Sequence, residues 1–141
     1  MKRMFLLLTI CLILLSCKKN KNQTLWECSN AQFLDSATIS NKIIGSWLWV
    51  KQLCGDGNGD VIAATKNIKV TFNANATFTV FENSSIITQG NWKLKIVDSN
   101  TWGLDPTSSS EYLYGRILFC NNQVMFNDSY IDGCDNVFAK E

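Results

Sequence analysis

The sequence predicts an all-β protein, an antiparallel meander of seven or eight strands closed into a barrel. Three observations carry this expectation. Apolar residues recur with a period of two through most of residues 43–140, short turns rich in Asn, Asp and Gly separate the runs, and helical periodicity is nearly absent beyond the first 16 residues. A meander of this length exposes two edges unless it closes on itself, which places a barrel ahead of a two-sheet sandwich.

The elements follow in chain order. Residues 18–41 are polar and irregular, with Trp26 and Phe33 as isolated apolar points and room for a short turn near 30–41. Ile43 to Leu53 reads as the first strand, ended by the Gly-Asp-Gly-Asn-Gly-Asp turn at 55–60. Ile68, Val70 and Phe72 alternate with polar residues, and Phe78 and Val80 do the same after Asn73-Ala74-Asn75. Ile86, Thr88, Gly90, Trp92, Leu94 and Ile96 fall on one face of a long strand. The stretch 98–110, rich in Thr, Ser and Asp, reads as a loop; Leu113, Gly115, Ile117 and Phe119 share the next face, and Val124 with Phe126, then Val137 to Ala139, complete the set.

The N-terminus predicts export. Lys2 and Arg3 precede an apolar run from Met4 to Leu15, too short for a spanning helix of about 20 residues, so residues 1–16 read as a signal peptide. Leu14-Leu15-Ser16-Cys17 resembles the bacterial lipobox, whose cysteine takes a diacylglycerol and becomes the first mature residue. The resemblance implies lipidation of Cys17, a tether and N-terminal segment over 17–41 and a folded domain over 42–141. Multiple acyl chains hold a membrane far better than one. Lys18 stands where an Asp would mark inner-membrane retention in enterobacteria, so the expected address is the outer membrane, facing the periplasm. Cleavage removes Lys2 and Arg3 and turns the formal charge from +1 to −1.

Cys11 falls in the leader and Cys17 carries lipid, which leaves Cys28, Cys54, Cys120 and Cys134 as disulfide candidates with three possible connectivities. No C-x2-C spacing and no histidine accompany them, so zinc is not expected.

Gly45-Ser46-Trp47 opens the first strand as the G-x-W motif does in lipocalins, and the chain resembles the lipocalin-like lipoproteins of Bacteroidetes. The resemblance extends to Trp49, the Gly-rich turn after the first strand, the Phe72…Phe78 hairpin, and Asp132-Gly133 ahead of a short last strand with Phe138 and Lys140. It implies a lipocalin-like barrel that binds a small hydrophobic ligand, with a basic side chain packed across the floor tryptophan. Lys140 stands where that family usually has Arg, and Lys stacks less well.

Chemistry is sparse. With no histidine the Ser-His-Asp relay lacks its middle member, and no phosphate loop of the G-x4-G-K-[ST] type is present, so neither catalysis nor a cofactor is expected. The balanced charge argues against nucleic acid as a partner. Asp56, Asn58 and Asp60 begin like a calcium loop, but Val61 replaces its glycine and Asn67 its terminal Glu; Asp128, Asp132 and Asp135 around Gly133 are equally incomplete, and both read as turns. The candidate ligand-lining residues are Trp47, Phe78, Trp92, Leu94, Ile117 and Phe126, which serve equally as core packing in a barrel wide enough for side chains or one small ligand. Trp49, Tyr112, Tyr114 and Arg116 are the candidate surface patch, with cross-strand pairing as the plainer reading. The expected function is ligand binding by a lipid-anchored envelope lipoprotein. The alternative is a non-catalytic structural or protein-interaction lipoprotein, an inhibitor among its variants, with a filled barrel.

Overall fold

A computed structural model describes residues 34–55, 61–98 and 100–141. The expected signal peptide over 1–16, the expected lipidation site Cys17, Cys28 and the Asp56, Asn58 and Asp60 turn lie outside the described residues. One helix, α1 (Ser36–Ile43), precedes nine strands: β1 (Gly45–Cys54), β2 (Val61–Ala63), β3 (Ile68–Phe72), β4 (Thr77–Glu82), β5 (Ser85–Asp98), β6 (Thr101–Pro106), β7 (Arg116–Cys120), β8 (Gln123–Asn127) and β9 (Cys134–Lys140). A 3-10 turn spans Ser129–Ile131.

Eight of the strands form the closed antiparallel barrel. From β3 onwards each strand pairs with the next, β1 pairs with β3, and β9 returns to β1 from Trp47↔Lys140 to Cys54↔Cys134. The extra strand is β2. It lies against the later half of β1, Leu53↔Val61 to Lys51↔Ala63, while β3 takes the earlier half from Gly45↔Phe72 to Leu48↔Lys69. β2 and β3 are therefore two pieces of one return leg, interrupted at 64–67, where Ala64 N–H still reaches the Val50 carbonyl at 3.1 Å.

The floor of the barrel is built around Trp47. Asp35 caps α1 by accepting from Thr38 N–H at 2.8 Å, and Ile39 and Ile43 turn inward. An eight-residue helix has little stability alone, so packing holds it. Trp47 Nε1 donates to the Ile43 carbonyl at 2.7 Å, satisfying a helix-end acceptor. The Lys140 ammonium lies 5.2 Å from the Trp47 ring centroid, in the position that the sequence resemblance implies for a basic group. Gly45 enters β1 at φ +122°, a backbone conformation that side chains rarely adopt.

Above the floor the interior is filled with aromatic rings. Phe72, Phe78, Phe126 and Phe138 are all less than 2 % exposed. Phe72 contacts Phe78, Trp92 and Phe126 at centroid distances of 6.3, 5.8 and 6.5 Å, and Phe126 meets Phe138 edge-on at 5.8 Å. Ile68, Val70, Val80 and Val124 occupy the space between the rings and the strands.

Several sequence expectations need correction. Helix α1 forms where the sequence suggested at most a short turn near 30–41, and it delays the first strand, expected from Ile43, to Gly45. β6 lies inside the stretch expected to be a loop: the exposed half of β5 needs a partner, Trp92↔Pro106 to Asp98↔Thr101 supply it, and Leu104 anchors the strand in the core. Ile86 and Ile96 are 57 % and 63 % exposed: a register shift opposite Phe81 takes Ile86 off Trp92's face, and Ile96 keeps that face but lies beyond the partly buried Leu94, near the end of the strand. Leu113 and Gly115 precede β7 in a loop, and Gly115 takes φ +92° against the Asn127 carbonyl, where a Cβ has no room.

Cys54 and Cys134 form a disulfide between the first and last barrel strands, 80 residues apart; Cys120 is disulfide-bonded as well. Replacing Cys54 and Cys134 together with Ser is expected to lower unfolding free energy by about 2–4 kcal/mol in urea titrations. Phe126→Ala is expected to cost about 3–5 kcal/mol in the same assay, since the rings of Phe72 and Phe138 border the void.

Candidate functional site

Trp47, Phe78, Trp92, Ile117 and Phe126 belong to one buried cluster, and Leu94 packs against it partly exposed. Their side chains occupy the barrel interior, so a ligand must meet the cluster where it opens to solvent. At the floor end, a groove of about 530 Å³ runs between α1, the β3–β4 turn and the β5–β6 ladder, with Trp92, Leu94, Trp102 and Ile44 along it. At the opposite end, near Cys54, the barrel mouth holds a recess of about 240 Å³ lined by Trp49, Gln52, Thr65, Lys66, Glu111, Tyr112 and Asn136.

Four parts of the chain build the mouth recess. β1 contributes Trp49 and Gln52, and β9 contributes Asn136, the register partner of Gln52. The break between β2 and β3 brings in Thr65 and Lys66. The 107–115 loop brings in Glu111 and Tyr112, and it is held in place despite its serine content. Thr107 N–H donates to the Asn91 carbonyl at 2.9 Å, Ser108 Oγ donates to the Gln89 carbonyl at 2.9 Å, and Leu113 is buried beneath it. Trp49 and Tyr112 meet edge to face at 5.4 Å, which makes one wall aromatic.

The opposite wall is polar. Asn136 Nδ2 donates to the Glu111 carbonyl at 3.3 Å, which turns its Oδ1 the other way. That Oδ1 and the Trp49 indole Nε1 are buried and make no hydrogen bond among the described residues; Trp92 Nε1, Thr101 Oγ1 and Arg116 Nε share this property elsewhere. Lys66 at the rim is paired with Glu82 at 3.4 Å. Burial, followed by the neighbouring Glu111 carboxylate, pushes the Tyr112 hydroxyl up to about 12.

The four surface candidates separate. Trp49 and Tyr112 are buried, at 8 % and 7 % exposure, and come together in the recess; only Tyr114 is openly exposed, at 46 %. Tyr112 and Tyr114 lie in a loop, where strand alternation does not govern which side faces out. Arg116 is engaged within the chain, paired with the Asp98 carboxylate and stacked 3.9 Å from the Tyr130 ring centroid. Gln52, Thr65, Lys66, Glu111 and Asn136 are the site residues that sequence reasoning missed. Asn136 left a signal: it shares Phe138's face of β9, a polar residue on an apolar side.

The acidic loop around Gly133 is a turn held by its own carboxylate. Asp135 Oδ1 accepts from the N–H groups of Asp128 and Ser129 at 2.9 and 2.8 Å. Among the described residues no three His, Cys, Asp or Glu side chains are grouped to hold a metal ion.

Comparison with models of known protein families, with curated proteins and with solved structures finds no match to this chain.

A raised folded pKa means that Tyr112's contribution to stability is whole below the unfolded value of 10.0 and is lost as pH rises towards about 12. Tyr112→Phe is expected to lessen the alkaline fall in urea midpoint between about pH 9 and about pH 11.5, relative to the unmodified protein.

Proposed function

We propose that the protein is a lipid-anchored lipoprotein of the bacterial envelope, held to the outer membrane through Cys17, whose barrel binds a small ligand at its mouth. The observation that carries the binding half is the recess at the end of the barrel away from α1, bordered by the largely buried Trp49–Tyr112 pair. The lipobox resemblance at residues 14–17 and the G-x-W strand support the anchor and the binding class. Because rings fill the interior below Trp49, the ligand sits at the mouth instead of along the barrel axis. No reaction step is part of this reading.

The second reading is a non-catalytic structural or protein-interaction lipoprotein. It draws on the same filled interior, where the four core phenylalanines lie below 2 % exposure.

Titrating the mature protein with single-ring aromatic and aliphatic probes separates the two. Saturable quenching of tryptophan fluorescence is expected, and Trp49→Phe is expected to remove most of it while leaving the fold intact by circular dichroism. A flat response across the panel selects the second reading. Mass spectrometry of the mature N-terminus is expected to find a diacylglyceryl group on Cys17; an unmodified thiol there removes the anchor.

A further inference from the structure

Cys54, Cys120 and Cys134 are the cysteines among the described residues, and the first and last of them bond to each other at the mouth. Cys120 is disulfide-bonded as well, so its partner lies outside the described residues. That partner approaches from outside the barrel. Ile117 and Phe119 turn inward and are buried, whereas Cys120, on the other face of β7, is partly exposed. The approach is also at the floor end. Cys120 closes the β7–β8 hairpin opposite Gln123, and Asn122 in the same turn accepts from the N–H of Lys140, the register partner of Trp47, at 2.8 Å.

The remaining cysteines are Cys11, Cys17 and Cys28. On the lipoprotein reading, Cys11 leaves with the leader, and the Cys17 sulfur is taken up in a thioether to the diacylglyceryl group. Cys28 stands eight residues before Ser36, a stretch that spans at most roughly 26–29 Å. Helix α1 is about 12 Å long, and its last turn lies beside Phe119, with the Lys42 ammonium 5.4 Å from that ring's centroid. Cys120 is the next residue in the chain. Cys28 therefore has chain enough to run back along α1 and meet it.

We propose that Cys28 is bonded to Cys120 and that this second disulfide straps the lipid tether to the barrel floor. The pairing rests on the lipoprotein reading, which takes Cys11 and Cys17 out of the choice, and it adds where the anchor grips the barrel. Two thiols and the oxidising disulfide of an envelope thiol oxidase give the Cys28–Cys120 bond and two thiols on the oxidant, which takes up both electrons and both protons. The strap shortens the tether. From Cys17 to Cys28 the chain reaches at most roughly 36–40 Å, against roughly 63–68 Å from Cys17 to Ser36. Tension from the membrane then falls on the β7–β8 hairpin instead of on α1, an eight-residue helix held by packing. The mouth recess lies at the other end of the barrel from this attachment.

Peptide mapping reads the pairing directly. The lipoprotein is extracted in detergent, its free thiols are alkylated at acid pH, and it is cut by trypsin and an Asp-specific endoprotease without reductant. Residues 22–34 are expected joined to residues 117–127, and the two are expected to separate on reduction. An alkylated Cys120, or a bond from it to Cys11 or Cys17, overturns the strap. A bonded Cys28–Cys120 pair beside an unmodified Cys17 overturns the lipid tether while the bond stands, so the two readings fail separately. For the strap itself, a protease recognition sequence is inserted after Asn30 and the lipidated protein is placed in vesicles of phosphatidylethanolamine and phosphatidylglycerol. Cutting there is expected to leave the barrel on the vesicles until dithiothreitol is added, and the same cut in Cys120→Ser is expected to release it at once. Release without reductant when Cys120 is intact overturns the strap.

Discussion

Closure of the barrel rests on β1. Both edges of the sheet end there, so this one ten-residue strand must satisfy a neighbour on each side, β9 along nearly its whole length and the β3 and β2 leg opposite. An open meander would leave two rows of unpaired backbone groups, and the closed one leaves none at that seam. Trp47 fixes where closure happens. Its indole N–H holds the end of α1, its ring carries Lys140, and its register partner is that same Lys140, so helix, first strand and last strand meet at one side chain. The Cys54–Cys134 bond secures the same strand pair at the other end. β1 and β9 are thus tied at both ends, by a tryptophan at the floor and a disulfide at the mouth.

That arrangement divides the barrel into two chemically different halves. Below Trp49 the inward positions are Phe, Val and Ile together with Trp47, Trp92 and Leu104, and the aromatic rings contact one another directly, which leaves dispersion and apolar burial as the dominant stabilising terms. At the level of Trp49 the return leg breaks at 64–67, and the shift between Trp49 and Lys51 changes which β1 residues face inward. Gln52 and Asn136 therefore point where two more apolar residues would have completed the core. The recess follows from an interrupted strand and a bulge, closed on one side by the 107–115 loop through Glu111 and Tyr112.

Much of this was legible in the sequence. Ile68-Val70-Phe72 and Phe78-Val80 alternate cleanly, and they lie at regular, unbulged pairs of the β3–β4 ladder. The Gly45-Ser46-Trp47 start and Lys140 marked the two partners that meet at the floor. What stayed hidden depends on contacts distant in sequence. β6 has the composition of a loop, and only the need of Lys93 to Ile96 for a partner, with Asp105 set between Lys93 and Lys95, makes it a strand. Helix α1 is too short for its periodicity to stand out, and Ile39 and Ile43 become a helical face only because the barrel floor receives them. Of the site, Trp49 was visible but assigned to the surface. Its burial depends on Tyr112, 63 residues away in a loop whose position is set by hydrogen bonds to β5.

The unpaired atoms at the mouth bear on whether the recess is a defect of packing or a feature with a use. If the recess were only a gap at the end of a filled barrel, phenylalanine at 49 and leucine at 136 would satisfy the apolar face and remove two buried polar costs, each of roughly 1–3 kcal/mol. The chain instead carries a tryptophan and an asparagine there, and it holds the asparagine in one orientation with the Glu111 carbonyl. In the floor the same chemistry is handled differently: Trp47 has a partner for its indole N–H at 2.7 Å. Trp49, two residues along the same strand, has no such partner, and Trp92 Nε1 is likewise unpaired among the described residues. An orphaned indole N–H thus lies at each end of the barrel, Trp92 beside the floor-end groove and Trp49 beside the mouth, and what distinguishes the mouth is its polar wall of Gln52 and Asn136 against the Trp49–Tyr112 pair.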